Sequence, residues 1–123
     1  RNSGATQTTQ MCTHPKVAMI TLTGSVAAGR RMLDFSKVNI ARVSLEMGGK
    51  TPAIITPSAD LDTAIAAIVG SKTTHCGQLC TAVERVYVQR ALHDQVVGRL
   101  RDAMQTRAFG DRANDPSRMG PQV

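Results

Sequence analysis

Aromatic residues are scarce in this chain: its 123 residues include no Trp, one Tyr and two Phe. Only Tyr87, Phe35 and Phe109 could stack on a base, too few for a single-strand binding platform. Apolar runs are short, and none approaches the length of a membrane-spanning helix. Cysteine is limited to Cys12, Cys76 and Cys80. That number and spacing do not make a secreted disulfide framework, no Cys-x-x-Cys pair suggests a metal, and no signal peptide is present. A reducing, cytoplasmic setting is expected, with no metal site. Acidic residues are also few, 9 against 15 Lys and Arg, for a net charge of +6. The cations are scattered from Arg1 to Arg118 rather than clustered as phosphate tracking requires, so no nucleic-acid partner is expected.

What remains is ordinary for a globular chain, with 41% hydrophobic and 20% charged residues. The length suits one domain. Neither end reads as a natural terminus: Arg1 to Gly4 lack an initiator Met, and Gly120-Pro121-Gln122-Val123 stops without a helix or polar tail. The expectation is a piece of a longer protein, in which charge need not balance.

The hydrophobic pattern alternates between short apolar runs and helical stripes. Gly4 to His14 is Thr-rich and weakly periodic, and is expected to be irregular or a short helix. Val17 to Leu22 is a compact apolar run read as a buried parallel strand, ending in a turn at Thr23-Gly24-Ser25. Ala28, Met32 and Phe35, with Leu33 beside them, predict a helix from Ala27 to about Ile40. Strands are predicted over Arg42 to Met47, Thr51 to Thr56 and Val86 to Gln89. An acid-headed helix begins at Asp60-Leu61-Asp62, with Ala64, Ile65, Ile68 and Val69 as its core stripe. A second runs from Ala91 to about Arg107 on Leu92, Val96, Leu100, Ala103 and Met104. Phe109 to Val123 has loop composition. This succession is that of an α/β fold with a parallel sheet.

Two stretches carry candidate chemistry. Gly77-Gln78-Leu79-Cys80 displays a thiol just ahead of a strand, although a lone cysteine is equally a small buried hydrophobe. Val43-Ser44-Leu45-Glu46-Met47-Gly48-Gly49 sets one carboxylate among apolar residues before a Gly-Gly turn. The plain alternative for Glu46 is a salt bridge to Lys50 or Arg42. A third stretch, Pro15 to Ser25, is a strand entering a glycine turn before a helix, whose free amides favour an anion. On its own it is equally a structural turn. Cys76 is four residues before Cys80, so on a helix the two would share a face and could pair as a disulfide; inert packing is the alternative. His75 is close in sequence to Cys80, which alone does not make a Cys-His dyad.

Together these three stretches resemble, in order, the cofactor, glutamate and cysteine motifs of the NAD(P)-dependent aldehyde dehydrogenase superfamily. The similarity runs from about Gly4 to Val123 and looks closest to the lactaldehyde or glycolaldehyde branch. It implies an incomplete parallel-sheet fold of that family, with residues 1–47 ending a Rossmann-like cofactor domain and residues 48–123 beginning a catalytic domain. It implies Cys80 as nucleophile, its amide helping to bind the oxyanion, and Glu46 as the base that activates water. It places Thr23, Gly24, Ser25, Gly29, Leu45 and Gly48 at the cofactor, NAD or, less favoured by the branch, NADP.

The implied reaction is oxidation of a small aldehyde to an acid through a thiohemiacetal and a thioester, by a homo-oligomeric parent, dimer or tetramer. The second oxyanion donor and the adenosine-ribose contacts are implied upstream of Arg1, so the isolated chain is expected to be inactive. Three departures stand out. Val26 is where many members have Thr, and Thr81 is where the branch tends to have Asn. Thr8 falls where a Gly usually approaches the dinucleotide, so its Cβ would crowd the cofactor or require a backbone angle that suits glycine. This last departure sustains an alternative, a binding or structural protein that keeps the fold after catalysis has decayed.

Overall fold

A computed structural model describes residues 3–111, 113–115 and 119–122. The chain forms two compact units, Arg1–Gly48 and Gly49–Val123. In the first, α1 (Ser3–Cys12) is followed by β1 (Met19–Gly24), α2 (Val26–Asn39) and β2 (Arg42–Met47). The second contains β3 (Thr51–Ile55), α3 (Leu61–Thr73), a 3₁₀ turn over Thr74–Gly77, β4 (Val83–Val88) and α4 (His93–Gln105), with a short 3₁₀ turn at Arg90–Leu92. Each unit has one parallel strand pair, β1 with β2 and β3 with β4. Parallel pairing needs a crossover, and α2 and α3 supply it.

Local chemistry fixes the helix starts. Ser25 precedes α2 in an extended conformation, and its Oγ accepts from the Ala28 amide at 3.1 Å. Asp60 does the same for α3, accepting from the Thr63 amide at 2.8 Å. Each cap satisfies one amide that the helix cannot. This hydrogen bond also holds the Asp60 carboxyl below its ordinary range. At the other end of α2, Ile40 takes the left-handed conformation at φ 56°, where glycine is usual.

The first unit has a small core of Cys12, Ile20, Met32 and Ala41, bordered by Val17, Leu22, Phe35, Val43 and Leu45. Asn39 ties the connection between α1 and β1 to α2, its Nδ2 donating to the carbonyls of His14 and Val17. The core of the second unit is Ile55, Ile65, Ile68, Val69 and Val96, with Ala53, Val86, Val88, Leu92 and Leu100 around it. Each fully buried aliphatic side chain contributes about 1.5–3 kcal/mol. This core holds α3 and α4 over the β3–β4 pair.

The Thr-rich segment takes the helical of its two expected forms, and Thr8 and Thr9 donate their hydroxyls to the carbonyls four residues back. Other expectations are corrected. The first strand starts at Met19 and includes Thr23 and Gly24, which were expected in a turn; the turn is reduced to Ser25 because that residue caps α2 directly. Leu33 is 47% exposed, because the packed face of α2 runs through Gly29, Met32 and Phe35. The fourth strand begins at Val83, three residues earlier than expected. An irregularity pairs Thr51 with Val83 and Pro52 with Arg85, and this extra residue, Glu84, disguised the alternation of the strand. The tail contains one parallel bridge between Phe109 and Met119.

Candidate active site

In the first unit, the parallel register sets Leu22 beside Leu45, Thr23 beside Glu46 and Gly24 beside Met47. The carboxyl ends of β1 and β2 therefore bring together Thr23, Gly24 and Glu46, with Ser25 and Gly48 one residue beyond the strands. This edge of an open α/β unit, where strands end and a helix begins, is where such folds bind ligands. Glu46 is exposed. Among the described residues no ion pair joins Glu46 to Arg42, four residues back along the same strand. Lys50 lies with Glu84, at 3.8 Å.

The start of α2 fits an anionic group. With Ser25 Oγ on the Ala28 amide and Ser25 O accepting from the Gly29 amide at 2.9 Å, the amides of Val26 and Ala27 head the helix without an intrahelical acceptor. The nearest atoms to a Cβ built on Gly24 would be those of Leu22, at 3.7 Å or more, and one on Gly48 would meet nothing within 4 Å. The edge is therefore open enough for a phosphate to approach the backbone.

The six residues expected at a cofactor divide by position. Thr23, Gly24, Ser25 and Gly48 are exposed at this edge. Leu45 packs against the core of the first unit, leaving its backbone on the strand. Gly29 is buried, and a Cβ there would stand 2.7 Å from Met47 Sδ and 3.4 Å from Leu45 Cδ1. Its lack of a side chain lets α2 approach β2, a packing function that supports the edge from beneath.

In the second unit, Cys80 is an exposed free thiol. It occupies a β-turn closed by the Ala82 amide donating to Leu79 O at 3.1 Å, immediately before β4. The segment that delivers it is left-handed: His75, Cys76 and Gly77 all have positive φ, at 50°, 58° and 75°. A shared helical face for Cys76 and Cys80 is thereby ruled out, since the helix ends before either residue. The Cys76 thiol turns toward the tail and donates to Gly120 O at 3.2 Å. The His75 carbonyl accepts from the Gln78 amide at 3.1 Å.

Residues that sequence patterning did not single out hold this loop. Thr51 Oγ1 donates to Cys80 O at 3.1 Å. Ser71 Oγ accepts from the Val83 amide at 3.2 Å and donates to Thr81 O at 3.5 Å. Lys72 pairs with Glu84 at 2.5 Å, and the bond with its charge holds the Glu84 carboxyl below its ordinary range. Arg85 donates through Nε and Nη2 to Lys50 O, at 2.9 and 2.6 Å. These partners lie 10 to 35 positions from the residues they hold, so no local motif joins them.

Thr8 lies on α1 with ordinary helical geometry, which removes the expected need for a glycine backbone angle. It lines a cavity of about 150 Å³ with Gly4, Ala5, Ala28, Arg31, Met32 and Phe35. Among the described residues no three His, Cys, Asp or Glu side chains gather as metal ligands, and no helix is long and apolar enough to cross a membrane.

The aldehyde dehydrogenase family model matches residues 1–123. The chain belongs to the aldehyde dehydrogenase family. It is 47% identical over 122 residues to lactaldehyde dehydrogenase of Escherichia coli (strain K12), a match covering 98% of this chain and 25% of that protein. A crystal structure of lactaldehyde dehydrogenase from Escherichia coli superposes with a TM-score of 0.88 at 43% identity, covering 94% of this chain and 24% of the other. A 3,6-anhydro-L-galactose dehydrogenase in complex with NADP superposes at 0.84 and 35% identity, covering 92% of this chain and 24% of the other. The chain spans about a quarter of the length of the relatives it matches.

Proposed function

We propose that the protein carrying this chain oxidises a small aldehyde to a carboxylic acid, with NAD or NADP as hydride acceptor and Cys80 as nucleophile. The observation that carries the reading is the exposed Cys80 thiol, held in a turn ahead of β4, in a chain that matches the family along its whole length. A thiolate at Cys80 adds to the carbonyl carbon, giving a thiohemiacetal, and its own backbone amide is suited to stabilise the oxyanion. When bound, the nicotinamide dinucleotide supplies the hydride acceptor. Loss of hydride leaves a thioester on Cys80. Glu46 then takes a proton from water, which attacks the thioester, releasing the acid and the thiol.

In this reading the first unit is the end of a cofactor domain and the second the start of a catalytic domain. Thr23, Gly24, Ser25 and Gly48 form the open edge for the dinucleotide, the Val26 and Ala27 amides its anion site, and Leu45 and Gly29 the support. Lactaldehyde dehydrogenase as a 47% identical relative favours a short aldehyde; NAD is the dinucleotide we favour, and the NADP complex keeps the second in view. A cytoplasmic setting and a homo-oligomeric parent belong to the same proposal.

The test uses the full reading frame that encodes this chain. Cys80→Ala should give no burst of NADH or NADPH. Glu46→Gln should release close to one equivalent per site and then stall, because the thioester forms and is not hydrolysed. A burst retained by Cys80→Ala refutes the nucleophile, and parental turnover in Glu46→Gln refutes the base.

A further inference from the structure

Cys80 and Thr81 are the central residues of a four-residue turn whose ends are joined by the Ala82 amide and Leu79 O. A two-residue turn on the surface has several accessible conformations, each pointing the first side chain differently. Here both central carbonyls are engaged from outside the turn. Thr51, the first residue of β3, donates to Cys80 O. Ser71, in the last turn of α3, donates to Thr81 O and accepts from the Val83 amide. Thr51 and Ser71 are each half-buried, and Ala82 between their targets is only 2% exposed. The thiol is thus exposed while the peptide planes on its C-terminal side are anchored to a strand and a helix of the same unit.

We propose that Thr51 and Ser71 are positioning residues for Cys80, two hydroxyls that fix the turn in the orientation from which the thiol attacks. The proposal rests on Cys80 being the nucleophile. Its physical basis is that a misplacement of about 1 Å at a reacting atom can lower a rate by as much as a hundredfold. Both hydroxyls bond main-chain groups, so each acts through the backbone of Cys80, Thr81 and Val83.

The experiment compares Thr51→Val, Ser71→Ala, their double variant and Thr51→Ser with the parent and Cys80→Ala, in the full reading frame and well below the melting temperature. The rate constant of the NAD(P)H burst should fall severalfold in each single variant and about tenfold or more in the double variant. The KM for aldehyde and the Kd for dinucleotide should stay near parental values, and Thr51→Ser should restore the burst. Hydrogen exchange, which needs no turnover, should show the Val83 amide exchanging faster in Ser71→Ala because its acceptor is gone. A parental burst rate in the double variant, or a loss explained entirely by a smaller folded fraction, overturns the positioning function. A burst that survives Cys80→Ala overturns instead the nucleophile assignment beneath it, so the two failures are separable.

Discussion

Replacing Gly77 with alanine tests the left-handed segment on which presentation of Cys80 depends. Gly77 has φ 75°, and a Cβ there would lie 2.8 Å from Lys72 O and 3.4 Å from Lys72 Cε and Nζ. The lysine side chain can move aside, but its carbonyl belongs to the last turn of α3 and cannot. Left-handed geometry costs an L-residue about 1–2 kcal/mol, and overpacking against fixed neighbours adds about 1–3 kcal/mol. Gly77→Ala should therefore destabilise by about 2–5 kcal/mol. Gly98, in α4, is the control: a Cβ there meets nothing within 4 Å, so Gly98→Ala should stabilise by up to about 1 kcal/mol through helix propensity. Urea unfolding followed by circular dichroism, with comparable m-values, gives both signs from one assay. Equal midpoints for Gly77→Ala and the parent would refute the left-handed turn and, with it, the route by which the chain reaches Cys80.

Two further outcomes are expected. The Glu84 carboxyl is held below its ordinary value near 4.5, first by the Lys72 hydrogen bond and charge, so its contribution to stability is present above that value and is lost as pH falls through the lower folded value. Glu84→Gln should remove this increment at neutral pH, flatten the acid limb of stability in that window and converge with the parent at low pH; an unchanged limb would argue against the Lys72 pair. Thr8 lines the cavity between α1 and α2, so Thr8→Gly should tighten dinucleotide binding, measured by fluorescence titration, if the cofactor enters there. Weaker binding would show that the threonine does not crowd it.

The division between what the sequence reveals and what it hides follows the range of the interactions. Met32, Ile65, Ile68, Val69 and Val96 are buried at positions that helical periodicity alone identifies, because a helix buries residues three and four apart wherever its partner lies. Cys80 and Glu46 are proposed on another ground: each stands in a short motif with its glycines, and resemblance to a family reads such motifs directly. Gly29 shows the limit of that reading. The motif marks it for a cofactor, yet a Cβ there would meet Met47 and Leu45, a fact set by how far α2 approaches β2.

Thr51 and Ser71 are invisible for a related reason, since a hydroxyl on a strand start and one on a helix have no sequence pattern in common, and only the fold brings both to one turn. The left-handed run is similarly concealed. Gly77 announces a break, but His75 and Cys76 sharing its hand is a property of how α3 ends above the tail. Such conformations cost about 1–3 kcal/mol each and persist where surrounding contacts over-determine them. In this chain those contacts include Gln78 on the carbonyl of His75 and the tail on the thiol of Cys76. The thiol that the sequence identifies is therefore held in place by contacts it does not spell out, and substitutions in Thr51, Ser71 and Gly77 can alter Cys80 without touching its motif neighbours Gln78 and Leu79.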